Sequence, residues 1–409
     1  MPNFSIPLSG LTASDTALAT ISNNLSNLNT TGYKDTTVNF QDLFYQMLGS
    51  NGSGDQLQVG AGVAVSSINT DFSGGSVQST GVDTDVAITG NGFFVVQNGS
   101  NTYYTRAGDF TQDSSGNLIT ADGYQVMGYP ATGGVVNPNG GLVPIQLPMG
   151  MISAPTATSS ISIAANLSSD AAVGSSYNTN ITVYDSLGTS HVLNIDFTRS
   201  STGWNYNATL PSSDIANGTG TTTTVGNGTL TFDNNGKLTS TTPITISVPG
   251  LADGASTLAL NWNLTSASGT GLITQVSGAS STSSATQNGC ASGSLTSFSI
   301  GSDGTILGSF TNGTKVLGQI ALANFANLQG LTKEGNNNYA ANISSGSAII
   351  GTPGTSSLGT LTGSALELSN VDMSQEFSNL IIAERGFQAN AKSVTTFDQI
   401  AQDTINLIR

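Results

Sequence analysis

The chain has 409 residues, of which only 8% are charged, and 50 of them are glycine. Nine Lys and Arg against 24 Asp and Glu give a net charge of −15, so the anionic surfaces of nucleic acids and membranes are excluded as partners. One cysteine, Cys290, excludes an internal disulfide, and one histidine, His191, excludes zinc sites that need several His or Cys ligands.

The same composition bears on fold class and compartment. Abundant Gly, Ser, Thr and Asn favour short strands joined by turns, so we predict a mainly β fold with α-helical termini. No apolar run approaches the roughly 18 residues of a membrane span. Residues 4–28 lack the basic region and continuous apolar core of a signal peptide, so we expect a chain exported without a cleaved signal.

The first predicted element is a helix from about Phe4 to the segment Thr30–Gly32, where Gly favours a helix end. Its apolar residues recur at a seven-residue spacing, which keeps one stripe on one helical face, as in a coiled coil. This stripe consists of Phe4, Leu11, Leu18 and Leu25, with Ile21 and Leu28 interleaved.

After the helix we expect extended chain, then a short apolar cluster between Phe40 and Leu48. Residues 49–62 are rich in Gly and Ser and are predicted to be flexible. Strands are predicted at 85–89, 92–96 and 103–106, with hairpin turns at 113–116 and 122–123.

A Pro-containing boundary at 144–155 leads into a second β region at about 161–287, which holds both tryptophans, Trp204 and Trp262. Alternating apolar segments flank a hairpin turn at 185–188. Strands resume at 295–310 and 316–324. We interpret the middle region as a β domain inserted into another β domain.

The last predicted element is a helix that begins near Asp372, with Gln375 in the position of a capping box. It has a second seven-residue stripe, in which Glu384 and Asp398 are polar interruptions of the accompanying row. Because neither helix can bury its stripe alone, we expect the two to pair with each other or with neighbouring molecules, and to become ordered only on docking. The main row is Met373, Leu380, Phe387, Val394, Ala401 and Ile408, and the accompanying row is Phe377, Ala391 and Ile405.

This order of elements predicts nested, discontinuous domains. Residues 1–32 and 366–409 would form a terminal helical core. Residues 33–70 and 358–365 would connect it to an inner β domain at 71–150 and 290–357. Residues 151–289 would form the inserted outer β domain.

The segment 22–34, SNNLSNLNTTGYK, is an Asn-rich helix end followed by Gly, an aromatic and a basic residue. It resembles the N-terminal signature of flagellar rod and hook proteins, although Ser22 and Ser26 stand where Ala is common. Residues 81–94 with 104–110, residues 317–331, and residues 368–377 with 384–392 resemble the same family. The matching signature positions are Asn23, Asn24, Leu25, Asn27, Thr31, Gly32, Tyr33 and Lys34.

Within this family the long insert is similar to that of hook subunits, whereas rod proteins are shorter. The resemblance implies a subunit that leaves the cell through the flagellar type III export apparatus and polymerises into a curved tube, the universal joint between motor and filament. It also implies contacts with the rod, a hook cap and the hook–filament junction proteins, and no cofactor, metal or catalysis.

Two other functional classes are weighed against this one. A surface adhesin has a similar composition but needs no stripes at both termini, and a hydrolase needs a catalytic constellation that one histidine does not supply. We interpret His191 as a surface strand residue and Glu376 and Glu384 as solvated helix acids rather than a catalytic pair.

Overall fold

The computed structural model describes residues 4–50, 52–147, 150–240, 242–266 and 268–407. The chain divides into two units: unit 1 comprises Met1–Pro148, Ser297–Gly308 and Lys315–Arg409, and unit 2 comprises Met149–Thr296 and Ser309–Thr314. The fold is mainly β with a helix near each end, as predicted. Ile408, a residue of the C-terminal stripe, lies outside the described residues.

The first part of unit 1 is one helix followed by short strands. These elements are α1 (Ser5–Ser26), β1 (Thr36–Asp42), β2 (Gln46–Ser50), β3 (Gln56–Val59), β4 (Val63–Thr70), β5 (Val77–Ser79), β6 (Val86–Thr89), β7 (Phe93–Asn98), β8 (Asn101–Thr105), β9 (Thr111–Gln112), β10 (Leu118–Ile119), β11 (Gln125–Thr132), β12 (Val135–Val136) and β13 (Val143–Pro144).

Unit 2 then supplies a run of strands and one short 3₁₀ helix, Ser212–Asp214. The strands are β14 (Ile152–Ser153), β15 (Ser160–Asn166), β16 (Ser176–Tyr184), β17 (Ser190–Arg199), β18 (Trp204–Pro211), β19 (Thr222–Leu230), β20 (Ile244–Val248), β21 (Leu258–Asn263), β22 (Ile273–Thr274) and β23 (Ser281–Gln287).

The remainder of the chain completes unit 1, and its first three strands each have residues in both units. A second 3₁₀ helix spans Leu328–Gly330. The elements are β24 (Gly293–Ile300), β25 (Thr305–Phe310), β26 (Gly313–Ile320), β27 (Leu322–Asn324), β28 (Thr332–Gly335), β29 (Asn338–Ala340), β30 (Ile349–Gly351), β31 (Thr360–Gly363), β32 (Ala365–Glu367) and α2 (Met373–Leu407).

The central sheet of unit 1 has the strand order β26-β11-β7-β8-β29-β28. The predicted strands at 85–89, 92–96 and 103–106 are confirmed as β6, β7 and β8. The turn at 113–116 is also confirmed, because the Gly116 amide donates to the Asp113 carbonyl over 3.0 Å and Gly116 takes a φ of +78°. The apolar faces of these strands form the core, in which Phe93 and Phe94 are buried.

Unit 2 contains a four-stranded sheet, β16-β17-β18-β19, and a five-stranded sheet built on β15 and β21. β16 and β17 pair without a break from Ser176 opposite Thr198 to Tyr184 opposite Ser190, so the predicted hairpin at 185–188 is confirmed. The inward residues of both sheets form one apolar cluster that includes Trp204 and Trp262. The two tryptophans are therefore buried reporters of unit 2 alone.

Helix α1 ends earlier than predicted. Its last residue is Ser26, and both the backbone amide and the side-chain amide of Asn27 donate to the Asn23 carbonyl, over 3.2 and 2.9 Å. A short polar side chain that bonds nearby backbone groups is favoured at a helix end, so Asn27 terminates the helix. Gly32 has the left-handed φ of +67°, but it lies in the following turn.

In the stretch predicted to be flexible, 49–62, residues 49–50 and 56–59 lie in the two strands of a β-hairpin. β2 pairs with β3 between Gln46 opposite Val59 and Ser50 opposite Gln56. The apolar side chains of this region do not cluster in a core, since Phe44 is 94% exposed. We call the exposed apolar side chains the hairpin surface: Phe44, Tyr45, Met47, Leu48, Leu57 and Val59.

Candidate assembly surface and the joint between the chain ends

Helices α1 and α2 pack against each other in antiparallel orientation. The rings of Phe4 and Phe397 lie 6.0 Å apart, and Asn24 Nδ2 donates to Glu376 Oε2 over 3.2 Å. Between these two contacts Gly10 meets Asn390 so closely that an added Cβ would lie 2.7 Å from the Asn390 Nδ2. Residue numbers therefore rise along α1 as they fall along α2, and the two predicted stripes meet within one chain.

The main rows of both stripes contribute to this interface. In α1, Leu11, Leu18, Ile21 and Leu25 are half-buried. Leu28, in the turn after α1, is also half-buried, whereas Phe4, just before the helix, is 40% exposed. In α2, Leu380, Val394 and Ala401 are half-buried and Phe387 lies at the edge of the contact at 37% exposed. Met373, at the beginning of the helix, is half exposed.

Most of the predicted accompanying row of α2 does not face α1 within this chain. Phe377 and Ile405 are 50% and 64% exposed, and of that row only Ala391 is half-buried. The positions that complete the contact face lie one residue earlier in the heptad, and two of them are polar. They are Glu376, Ala383, Asn390 and Phe397, while Glu384 and Asp398 are exposed and interrupt nothing.

The cap of α2 is also only half of the predicted capping box. Asp372 Oδ1 accepts the backbone amides of Ser374 and Gln375 over 2.8 and 3.1 Å. The Gln375 side chain does not return to Asp372 but donates to Asn379 Oδ1 over 3.1 Å. The single-sided cap still satisfies two amides of the first turn.

The pairing leaves large apolar side chains of α2 exposed. We call this set the outer face of α2, and its members are between 49% and 68% exposed. A groove of about 500 Å³ lies between α1, β1 and α2, lined by Ala17, Ile21, Val38 and Ile382 among others. Apolar patches of this kind on a folded chain indicate a surface that is covered in an assembly. The outer face consists of Met373, Phe377, Ile381, Ile382, Ile400 and Ile405.

Asn24, in the predicted signature, is fully buried and uses its whole amide group. Its Nδ2 donates to the Thr36 carbonyl over 2.8 Å and to Glu376, and its Oδ1 accepts the Tyr33 hydroxyl over 3.0 Å and the Thr36 amide over 3.2 Å. Glu376 is thus a buried partner of α1, and its interpretation as a solvated acid is wrong. Asn24 connects α1, β1 and α2.

Replacing Asn24 by alanine is expected to lower the free energy of unfolding of unit 1 by about 2–4 kcal/mol, because buried polar partners lose their hydrogen bonds. Urea unfolding followed by far-UV circular dichroism measures this change. Asn39→Ala is the matched control, since the Asn39 amide is exposed and bonds only Ser67 Oγ among the contacts described. Equal effects of the two substitutions would contradict the connecting role of Asn24.

The turn after α1 brings Gly32 against the β sheet. The Gly32 amide donates to the Glu367 carbonyl over 2.8 Å, and a Cβ on Gly32 would lie 2.6 Å from the backbone carbon of Arg106. With a φ of +67° this position requires glycine on both counts. Thr31 accepts the side-chain amide of Asn337 over 2.8 Å, and Asn23 donates to the Tyr33 hydroxyl over 3.2 Å.

Lys34, Arg106 and Glu367 form a buried ion cluster that joins the beginning, the middle and the end of unit 1. Lys34 Nζ lies 2.5 Å from Glu367 Oε1, and Arg106 Nη1 lies 3.2 Å from Glu367 Oε2. The Arg106 guanidinium also lies 5.4 Å from the centre of the Phe93 ring. Burial lowers the pKa of Lys34 despite the attraction of Glu367. One carboxylate therefore serves two buried cations.

Sequence reasoning placed Lys34 in a signature and interpreted Glu376 as a solvated acid, but it assigned no role to Arg106 or Glu367. Glu367 stands one residue before a segment that resembles the family, and nothing in its neighbours' polarity indicates burial. Asn390 was also missed, because it is polar and the predicted stripes contain only apolar residues. A search for charged residues beside short apolar strands would have found Glu367, which ends β32.

His191 is buried at 4% exposure, so its interpretation as a surface residue is wrong. Its ring nitrogens face Asp185 and Asp214, and the Asp253 carboxylate lies within 4.8 Å of the facing atoms of Asp185 and His191. Both ring nitrogens therefore lie at hydrogen-bonding distance from carboxylate oxygens. Among the described residues, neither helix has the length and apolar character of a membrane-crossing segment.

Four protein-family models match successive parts of this chain. Residues 6–34 match the flagella basal body rod protein model, and residues 87–166 match the flagellar hook protein FlgE/F/G D1 domain. Residues 155–290 match the flagellar basal body protein FlaE D2 domain, and residues 362–407 match the flagellar basal body rod FlgEFG C-terminal model. The matched parts include both helices and most of unit 2.

Several curated relatives match along nearly their whole length. The flagellar hook protein FlgE of Salmonella typhimurium is 38% identical over 99% of this chain and 100% of its own. The FlgE of Escherichia coli is 38% identical over 99% of both chains, and that of Treponema pallidum is 35% identical over 98% of both. Among solved structures, Helicobacter pylori FlgE2 has a TM-score of 0.53 at 16% identity over 71% of this chain and 100% of its own, which supports the fold.

Proposed function

The chain belongs to the flagellar hook protein family, and we propose that it is the structural subunit of a bacterial flagellar hook, which polymerises into a curved, flexible tube. The observation that carries this proposal is the full-length identity of 38% to hook proteins. The solvent-exposed apolar side chains of the terminal helices support it. Most of unit 2 matches the FlaE D2 domain model, and the resemblance implies that rod proteins are shorter, which favours the hook subunit over a rod protein.

Two different surfaces of unit 1 support polymerisation. The outer face of α2 and the hairpin surface both expose large apolar side chains, and each such side chain contributes roughly 1.5–3 kcal/mol when fully buried. An isolated two-stranded hairpin is only marginally stable, so β2 and β3 gain most from a neighbour. Contacts between unlike surfaces of successive copies are heterologous, and where they do not close into a ring they build an open helical tube.

Within the subunit we propose the nested layout stated above, in which residues 1–32 and 366–409 lie along the tube axis and residues 151–289 form the outer domain. The outer domain carries few charges, and polar, wet contacts between its copies cost little when they rearrange. Such contacts suit a universal joint that transmits motor torque to the filament while it bends.

The remaining parts of the proposal concern partners and compartment. The subunit would be exported by the flagellar type III apparatus without a cleaved signal, assembled beneath a hook cap, and joined to the rod at one end and to hook–filament junction proteins at the other. The family is structural, and we propose neither catalysis nor a cofactor for this chain.

Expression of the chain in a bacterium that lacks its own hook subunit tests this function. We expect electron microscopy to show short curved tubes on the cell surface, because the chain supplies both helices and the outer domain. Straight tubes would favour a distal rod component, and molecules that remain isolated or anchored singly at the surface would favour an adhesin. A chain truncated before Met373 serves as the control that builds no tube.

A further inference from the structure

The imidazole of His191 joins two acidic groups in unit 2. Nε2 lies 3.0 Å from Asp185 Oδ2, and Nδ1 lies 3.0 Å from Asp214 Oδ2. Asp185 is fully buried, and His191 is 4% exposed. Both nitrogens of one ring thus face carboxylate oxygens at hydrogen-bonding distance.

The chemistry of these groups fixes the protonation state. An ionised carboxylate only accepts hydrogen bonds, and a neutral imidazole has only one N–H to donate. Asp185 Oδ1 accepts the backbone amides of Leu187 and Thr189 over 2.8 and 2.9 Å, and amide donors favour the ionised form of a carboxyl group. Burial opposes the charge of Asp185, but side-chain and backbone hydrogen bonds, including one with Asp253, lower its pKa to about 2. Two hydrogen bonds from the ring therefore require the imidazolium form.

The ring sits where three surface segments of unit 2 meet. Asp185 begins the turn between β16 and β17, Asp214 ends the 3₁₀ helix, and Asp253 belongs to the loop before β21. The Ala252 amide donates to the Asp214 carbonyl over 3.0 Å, and the Ser256 amide donates to Ser186 Oγ over 3.0 Å. The His191 side chain links the turn to the 3₁₀ helix directly, through Asp185 and Asp214.

We propose that His191 is a proton-loaded clamp, an imidazolium that holds the 185–188 turn to the 3₁₀ helix 212–214, and that its deprotonation loosens this end of unit 2. The charged groups that face it are all acidic: Asp185 from the turn, Asp214 from the 3₁₀ helix and Asp253 from the loop. Loss of the proton leaves a nitrogen lone pair against a carboxylate, which replaces a charge-assisted hydrogen bond by repulsion.

The direction of the pH dependence follows from the linkage between protonation and folding. Burial lowers the pKa of His191, but the hydrogen bonds to Asp185 and Asp214 outweigh it, so the folded pKa lies above the ordinary value of 6.5. A group with a raised folded pKa stabilises the folded state fully below its unfolded pKa and loses that effect as the pH rises through the folded pKa. Unit 2 is therefore expected to be most stable in mild acid.

A titration of the ring by NMR tests the protonation state without any substitution. The chain has one histidine, so carbon-13 labelling of histidine gives a single ring signal from the intact protein. We expect a midpoint above 6.5 in the folded protein and near 6.5 in urea, and Asp214→Asn is expected to lower the folded midpoint. Asp196→Asn is the matched control, since Asp196 lies on the same strand, on the opposite face from His191.

A folded midpoint at or below 6.5 would overturn the proposal. So would a ring signal that shifts when divalent ions are removed with EDTA and returns with zinc, because a metal ion would then occupy the place assigned to the proton.

Urea unfolding followed by tryptophan fluorescence tests the consequence for stability. Both tryptophans lie in the core of unit 2, so their signal reports that unit in the full chain. We expect the urea midpoint to fall as the pH is raised from about 6 to about 8, the window in which histidine titrates. His191→Gln is expected to flatten this dependence, and an unchanged slope in that variant would contradict the clamp.

Discussion

Replacing Glu367 by glutamine is expected to lower the free energy of unfolding of unit 1 by about 3–5 kcal/mol, the cost of leaving buried charges without their partner. Glu367 Oε1 accepts from Lys34 Nζ and from the Gly75 amide, and Oε2 accepts from Arg106 Nη1. All three charged side chains are almost completely buried. The glutamine variant keeps the volume but leaves two cations in a region of low polarity.

Hydrogen exchange detected by mass spectrometry measures this effect in unit 1, whose peptides are resolved from those of unit 2. Glu334→Gln is the matched control, because Glu334 is exposed on β28 and its substitution is expected to cost less than about 0.5 kcal/mol. The tryptophan fluorescence of unit 2 should report no change in either variant. A Glu367→Gln variant as stable as the control would show that the cluster does not hold the chain ends together.

A double variant separates the charge of the cluster from its packing. Lys34→Met combined with Glu367→Gln removes one of the two uncompensated cations, so it is expected to be less destabilised than the sum of the single variants. Additive losses would mean that Lys34 and Glu367 act independently, in disagreement with the 2.5 Å distance between Nζ and Oε1.

Local patterns were sufficient to predict much of the β structure. The strand and turn predictions for 85–123 and 181–197 are confirmed. They depend on alternation of apolar and polar residues and on turn residues, and both patterns are visible within a few neighbouring positions. The side chain of Asp113, which accepts the amides of Ser115 and Asn117, needs no partner from elsewhere in the chain. Such elements are readable from sequence alone.

The contacts between distant residues were not readable in this way. A seven-residue spacing defines a row of positions but does not decide which neighbouring row completes the contact face. The row of α2 that faces α1 is determined by two contacts, Asn24 with Glu376 and Gly10 with Asn390. The first pair is polar, and in the second pair one residue has no side chain. The burial of Glu367 and His191 likewise depends on partners far along the chain, and an apolar pattern carries no information about them.

A variant with both Phe377 and Ile405 replaced by serine is expected to fold normally but to lose polymerisation. Both side chains lie on the outer face of α2 and contact solvent in the single chain, at 50% and 64% exposed, so their loss should change the stability of the subunit by less than about 0.5 kcal/mol. If each is buried between copies, about half to two thirds of the roughly 1.5–3 kcal/mol for full burial is lost per side chain, which raises the concentration needed for polymerisation at least about 10-fold.

Sedimentation of the polymer over a series of subunit concentrations measures this requirement, and circular dichroism of the unpolymerised variant measures its fold. The matched control replaces two exposed polar residues of the same helix, Ser378→Ala and Gln402→Ser, and should polymerise as the unaltered chain does. Residues 402–406 of α2 are all exposed, so the end of this helix gains little stability from the described part of the chain. We expect a neighbouring copy to stabilise this end of the helix by covering apolar side chains such as Ile405. Normal polymerisation of the serine variant would contradict a role for the outer face of α2 in the interface between copies. The hairpin surface would then be the alternative interface.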